Sequence, residues 1–166
     1  FILTFVGSSL KFKGSPGQIK TTDPHFSVRS PGRPDFWVFV DIEFDTFGHS
    51  QTPVSDRSRR HEIDVVVVSV NAGYPKHREI ALGVECKAVA NFGKGLLKEA
   101  LGVRRELGIL ANSSADSVLT AAGGHPRVTV PMKPPSEYWL AFIDAKGTNY
   151  SQSPSTFGIQ LKHLEP

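Results

Sequence analysis

The chain has little of what would narrow its class quickly. It holds one cysteine and one methionine in 166 residues. No internal disulfide framework can form, and no zinc site can be built on several thiolates. Long apolar runs are missing. Stretches such as Trp37–Val40 and Val65–Val68 fall far short of the roughly 20 residues that span a bilayer, so no membrane association is expected. A strong charge surplus is also missing: 19 Lys+Arg against 16 Asp+Glu leave +3. That mild excess permits a polyanionic partner without arguing for one. No basic start leads into an apolar stretch and a small-residue cleavage site, so a reduced, cytoplasmic setting is expected. The chain starts at Phe1 rather than Met, as a fragment or a trimmed chain would. There is no internal repeat and no low-complexity tract. An apolar fraction of 39% is too high for disorder, and the length suits a single domain over residues 1–166.

Prolines and glycines punctuate what is present. Pro16, Pro24, Pro31 and Pro34 interrupt regular structure, so residues 1–35 read as an irregular arm behind a short apolar segment, Phe1–Phe12. A second stretch rich in breakers runs from Gly123 to Pro135. Between them, Phe36–Asp45 alternates strictly, with Phe36, Val38, Val40, Ile42 and Phe44 on one face. Asp41, Glu43 and Asp45 lie on the other, past Trp37 and Phe39. That is strand periodicity. Gly48–Arg60 reads as a polar loop. Glu62–Val70 and Glu79–Val89 read as strands joined through turn chemistry at Asn71–Pro75. The period then changes: Leu96, Ala100, Val103, Leu107 and Leu110 form an amphipathic helical stripe, with Asn91 as its cap and Gly108 at its end. Ser113–Ala122 reads as a short helix, and Arg127–Val130, Tyr138–Asp144 and Phe157–Leu161 as further strands. The fold class expected is mixed α/β (α+β), with the helix packed on a central sheet and a core over residues 36–110.

The chemistry concentrates in the third of these strands. Side chains alternate, so Glu85 and Lys87 share one face, while Leu82, Val84, Cys86 and Ala88 take the other, under the following helix. An acid and a base side by side in an apolar strand need a partner, a metal or water. A hairpin would set this strand against Glu62-Ile63-Asp64 and bring Asp64 beside Glu85, with Glu62 as an extra carboxylate or an exposed strand-end residue. Two or three carboxylates beside one ammonium make a hard-oxygen site suited to Mg²⁺ or Mn²⁺. Asp41, Glu43 and Asp45 read as a solvated face in preference to a further source of carboxylates, and Cys86 as a core residue rather than a nucleophile. His61 reads as structural.

Asp64 followed by Glu85-Cys86-Lys87 resembles the signature of the PD-(D/E)xK nucleases, the superfamily that includes restriction endonucleases and junction resolvases. The likeness covers roughly residues 36–110 and implies a restriction-endonuclease-like fold. The implied core is a helix, a three-strand meander, a second helix and a further strand. No counterpart of the first helix is evident before Phe36 unless it lies near Phe1–Leu10. The resemblance implies a metal-dependent endonuclease acting on nucleic acid, DNA foremost. Asp64, Glu85 and the Cys86 carbonyl would hold Mg²⁺ or Mn²⁺, and Lys87 would act on the attacking water and the phosphate. By analogy it also implies a homodimer. Arg57, Arg59, Arg60, Lys94 and Lys98 are the candidates for contacts to backbone phosphates, against the alternative of ordinary solvated cations. The competing reading is the same fold with catalysis lost, kept as a module that binds nucleic acid or protein.

Overall fold

The structure is a computed structural model that describes residues 2–8, 15–53, 55–88, 90–116, 129–150 and 152–165. Its strands are β1 (Ile2–Val6), β2 (His25–Arg29), β3 (Phe36–Asp45), β4 (Arg60–Val68), β5 (Ile80–Lys87), β6 (Ile109–Asp116), β7 (Thr129–Lys133), β8 (Glu137–Phe142) and β9 (Ile159–His163). The α-helices are α1 (Phe47–Gln51), α2 (Lys94–Leu107) and α3 (Gln152–Thr156). Seven strands form one mixed sheet in the order β1-β2-β3-β4-β5-β8-β9, and β6 pairs with β7 apart from it. The first five run antiparallel, as short connections allow. β8 lies parallel to β5, and β9 parallel to β8. The parallel step needs a long crossover, and α2 lies within it. The fold is therefore mixed α+β. Among the described residues no helix is long and apolar enough to cross a membrane.

Several expectations are corrected. The stretch expected to be an irregular arm supplies two strands, β1 and β2, and the segment near Phe1–Leu10 holds a strand in place of a first core helix. The loop after β3 contains the short α1, capped by the Thr46 hydroxyl, which accepts from the His49 N–H. α2 is capped by the backbone of Gly93, not by Asn91. Its start is held instead by Asp144, whose carboxylate accepts from the Phe92 N–H at 2.9 Å. Of the short helix expected at Ser113–Ala122, residues 113–116 belong to β6, and the remainder lies outside the described residues, as do Val89, Arg127 and Val128.

The strict alternation expected of β3 fails at one point. Its buried side chains are Phe39, Ile42 and Phe44, and a step of three exchanges the faces of a strand. β4 makes the same exchange, with Ile63 and Val66 both buried. Asp41 stands at the break with φ of 51°, in the left-handed region that Asp enters more easily than most residues. The partners on either side are Val40 with Val65 and Ile42 with Ile63, so Asp41 faces Asp64 across the ladder. Both aspartates thus mark the line where the sheet changes its inward face. Beneath it, Phe39, Phe44, Ile63, Val66, Tyr138, Leu140 and Phe142 form the centre of the core, with Ala100 and Leu107 of α2 against them.

Candidate functional site

The hairpin of β4 and β5 carries the site. Its ladder runs from Val68 paired with Ile80 to Val65 paired with Val84 and stops there. One step further the Asp64 side chain takes over: its Oδ2 accepts from the backbone N–H of Cys86 at 2.6 Å. An aspartate placed where the strands part thus satisfies a backbone donor that the ladder leaves. Beside it, the Lys87 ammonium donates to Glu85 Oε1 at 2.8 Å. The three residues that the sequence points to, Asp64, Glu85 and Lys87, are brought together. Both members of the Glu85–Lys87 pair are mostly covered, with side-chain exposures of 17% and 24%.

The electrostatics follow from that crowding. Burial pushes the Glu85 carboxyl above its ordinary value, and Asp64 and Glu99 add to the rise, while the Lys87 hydrogen bond opposes it. Burial alone would lower Lys87, but its bond to Glu85 and the carboxylates of Glu85, Asp64 and Glu99 carry it above the usual lysine range. Lys87 is therefore a fixed cation at neutral pH, suited to holding an anion or a polarised water and unsuited to taking a proton.

A second group of carboxylates adjoins Asp64. Asp41, Glu62 and Asp64 each present an oxygen within 4.8 Å of the others, and such a cluster could hold a metal ion. Glu62 is exposed, and its carboxyl is raised by desolvation and then by Asp64, Asp41, Glu85 and Glu43 in that order. Four neighbouring acids with that effect describe a pool of negative charge, with the Lys87 ammonium beside it at Glu85. The donor set is hard oxygen throughout, which fits Mg²⁺ or Mn²⁺ and does not fit a soft-metal site. The sequence pattern assigns Asp41 to a solvated face; the kink in β3 places it in this cluster instead.

No protein-family model, curated protein or solved structure matches the chain.

Cys86 is exposed and does not belong to the core. The side of β5 that faces the core is that of Gly83, where a Cβ would lie 3.0 Å from Ile63 Cδ1 and 3.2 Å from Tyr138 Cδ2. Glu85 and Lys87, two and four residues on, share that side, and the charge of Glu99 on α2 acts on this acid–base pair and not on Cys86. Desolvation, then Asp64 and Glu85, push the Cys86 thiol up, which makes it a poor nucleophile. The basic residues divide. Arg59 and Arg60 both turn their Nε onto Asp45 Oδ1, at 3.1 and 3.0 Å, and the Arg60 guanidinium lies 3.4 Å over the Tyr74 ring. Arg57, Lys94 and Lys98 are exposed.

Two neighbours escaped the sequence reading. Glu99 could have been found from the helical stripe, since it lies next to the inward-facing Ala100. Tyr138 could not: it is completely buried on β8, and its hydroxyl has no hydrogen-bond partner among the described residues. Burial, Glu85 and Asp64 all raise its pKa, so the phenol stays protonated beside the acids.

Proposed function

We propose that the protein is a metal-dependent nuclease of the PD-(D/E)xK kind, with a restriction-endonuclease-like core made of β3, β4, β5, α2 and β8. The observation that carries the reading is the bond from the Cys86 N–H to Asp64, which locks the lone aspartate of β4 against the Glu-x-Lys strand. The order of meander, helix and parallel strand supports it. Strands in place of a first helix are the feature that favours a catalytically silent nucleic-acid-binding module instead.

Asp64 and Glu85, with Asp41 or Glu62, would hold Mg²⁺ or Mn²⁺; the Cys86 carbonyl would add a further oxygen. The ion would supply an acidified water and neutralise charge on the phosphate. The residues of the chain do the rest. Lys87, held at Glu85, places a permanent positive charge where an anionic phosphodiester would otherwise meet only carboxylates. Asp64 keeps its orientation through the bond that its Oδ2 accepts from the Cys86 N–H. Tyr138 offers a neutral hydroxyl under the acids. The substrate is nucleic acid, DNA foremost.

The test is cleavage of duplex and single-stranded DNA and RNA with Mg²⁺ or Mn²⁺, comparing the wild type with Lys87→Ala. Metal-dependent cleavage that Lys87→Ala loses by a factor of about 100 or more, on the order of one electrostatic contact to the transition state, supports the reading. Cleavage that persists in EDTA and in the variant overturns the mechanism. Metal-insensitive binding without cleavage supports the silent module.

A further inference from the structure

β3 ends in a second charged site of opposite sign. An open cleft of about 380 Å³ lies between the end of β3, α1 and the 3₁₀ turn at His77–Glu79, and its lining includes Arg59, Lys76, Arg78 and His49. One carboxylate, Asp45, reaches it, and that group is already engaged by the Nε atoms of Arg59 and Arg60. Two further acids stand nearby, each bonded to a backbone amide, and offset part of the positive charge. Glu79 accepts from the Lys76 N–H at 2.7 Å, and Glu106 accepts from the Gly48 N–H at 3.0 Å. Lys76 and Arg78 are exposed at the rim. The floor is formed by His77, which is 8% exposed and held by its Nδ1 on the Leu107 carbonyl. A carbonyl only accepts, so Nδ1 carries the hydrogen. Burial keeps this ring neutral, and the positive charge of the cleft comes from its arginines and lysine.

Position relates this cleft to the acidic cluster. On β3, Ile42 and Phe44 are buried, so Glu43 and Asp45 share the opposite face. They pair across the ladder with Glu62 and Arg60. The face that carries the acids thus continues into the basic cleft. Asp41 and Asp45 are four residues apart, about 13 Å at roughly 3.3 Å per strand residue. Along a duplex axis that equals the rise of about four nucleotides of one strand at about 3.4 Å each.

We propose that the cleft takes a backbone phosphate of the nucleic-acid strand, several nucleotides from the scissile one, with the exposed Lys76 and Arg78 as its clamps and Arg59, held at Asp45, as its wall. This rests on the nuclease reading, and it assigns two cations that the sequence did not single out. Phosphate is the fitting chemistry because the cleft presents cations around a space too open for a buried apolar ligand, and Arg and Lys are the usual phosphate donors.

The experiment measures binding of labelled duplex and single-stranded oligonucleotides by fluorescence anisotropy in EDTA, from about 50 to 200 mM salt. It compares the wild type, the double variant Lys76→Ala/Arg78→Ala, and a charge-matched control, Lys20→Ala/Lys146→Ala, whose lysines are exposed elsewhere. The clamp variant is expected to lose about tenfold or more in affinity and to flatten the slope of log K against log salt by about 1, the change that goes with losing one phosphate contact. The control is expected to keep the wild-type slope. A clamp variant that matches the wild type or the control overturns the inference. If the wild type meanwhile cleaves with Mg²⁺, the nuclease reading stands and only the cleft fails. If the wild type binds no oligonucleotide, both fall together.

Discussion

Replacing Asp41 by asparagine tests the acidic cluster without relying on any assumed substrate. Asparagine tolerates the left-handed backbone at φ 51° nearly as well as aspartate, so the kink survives while one charge goes. The carboxylates of Asp41, Glu62 and Asp64 approach within 4.8 Å. Two unit charges at that distance repel by about 1 kcal/mol in water and by about 3 kcal/mol at an effective dielectric constant of about 20. Glu62 is exposed, so the lower figure applies to its pairs. The Asp41→Asn substitution removes two of the three pairs, a relief of roughly 2 kcal/mol at low ionic strength. For a chain of this size that is about 4 to 8 °C in Tm. Thermal melts in EDTA should therefore place Asp41→Asn above the wild type. Added Mg²⁺ should raise the wild type and move the variant much less, since only the wild type holds the full cluster for a cation to neutralise. Salt should shrink the EDTA difference as the repulsion is screened. A variant that melts at or below the wild type in EDTA and answers Mg²⁺ equally would refute the reasoning.

Four further outcomes are expected. The raised carboxyl of Glu85 binds its proton more tightly in the folded chain, so apo stability should fall as pH rises through the range just above the ordinary glutamate value; Mg²⁺-induced stabilisation should grow over the same range, as melts from about pH 4 to 8 would show. Lys87, raised by its partners, should contribute stability that persists through neutral pH and disappears only as the alkaline pH passes its folded pKa, read in the Lys87→Met variant as a loss of that alkaline step. Gly83→Ala should destabilise by about 1 to 3 kcal/mol in urea melts, because the new methyl meets the Tyr138 ring between fixed strands. Arg104→Lys should cost about 2 to 3 kcal/mol, since one ammonium cannot hold the Ser136 and Phe157 carbonyls that the buried guanidinium reaches at 3.1 and 3.3 Å.

The strands that carry the site are legible in the sequence because their patterns are local. Phe36–Asp45 has the ends that its alternation predicts, and Val65–Val68 and the Glu85–Lys87 strand fall within a residue or two of expectation, since turn chemistry and β-branched runs sit within the segment itself. What depends on distant residues is not legible. β1 and β2 are short and lie among prolines that flank them, and they become strands only because β3 offers its free edge. The face exchange at Asp41 leaves no periodic trace, because the apolar residues on both sides of it, Val38, Phe39, Val40 and Ile42, are equally compatible with either phase. The role of Asp45 as the anchor of Arg59 and Arg60 needs the end of β3 to meet the start of β4. The separation of Cys86 from the core needs the position of α2.

The face exchange also explains how an apolar sheet can carry so many acids. In a regularly alternating pair, carboxylates opposite each other at Asp41 and Asp64 would point either into the core, at a prohibitive cost, or straight into water, where they would not gather. A strand that turns over at that point leaves its side chain at the boundary, half covered and next to the place where β4 and β5 part. There Asp64 finds the Cys86 N–H, Asp41 and Glu62 find Asp64, and Glu85 remains covered because Lys87 neutralises it. The kink and the charge cluster are therefore one feature. Asp41→Gly should preserve the kink and discharge the cluster, whereas Asp41→Val, whose branched side chain disfavours a positive φ, should disturb both. If Asp41→Val leaves the Asp64–Cys86 bond intact, judged by slow hydrogen exchange at the Cys86 amide, the kink and the cluster are separate features after all.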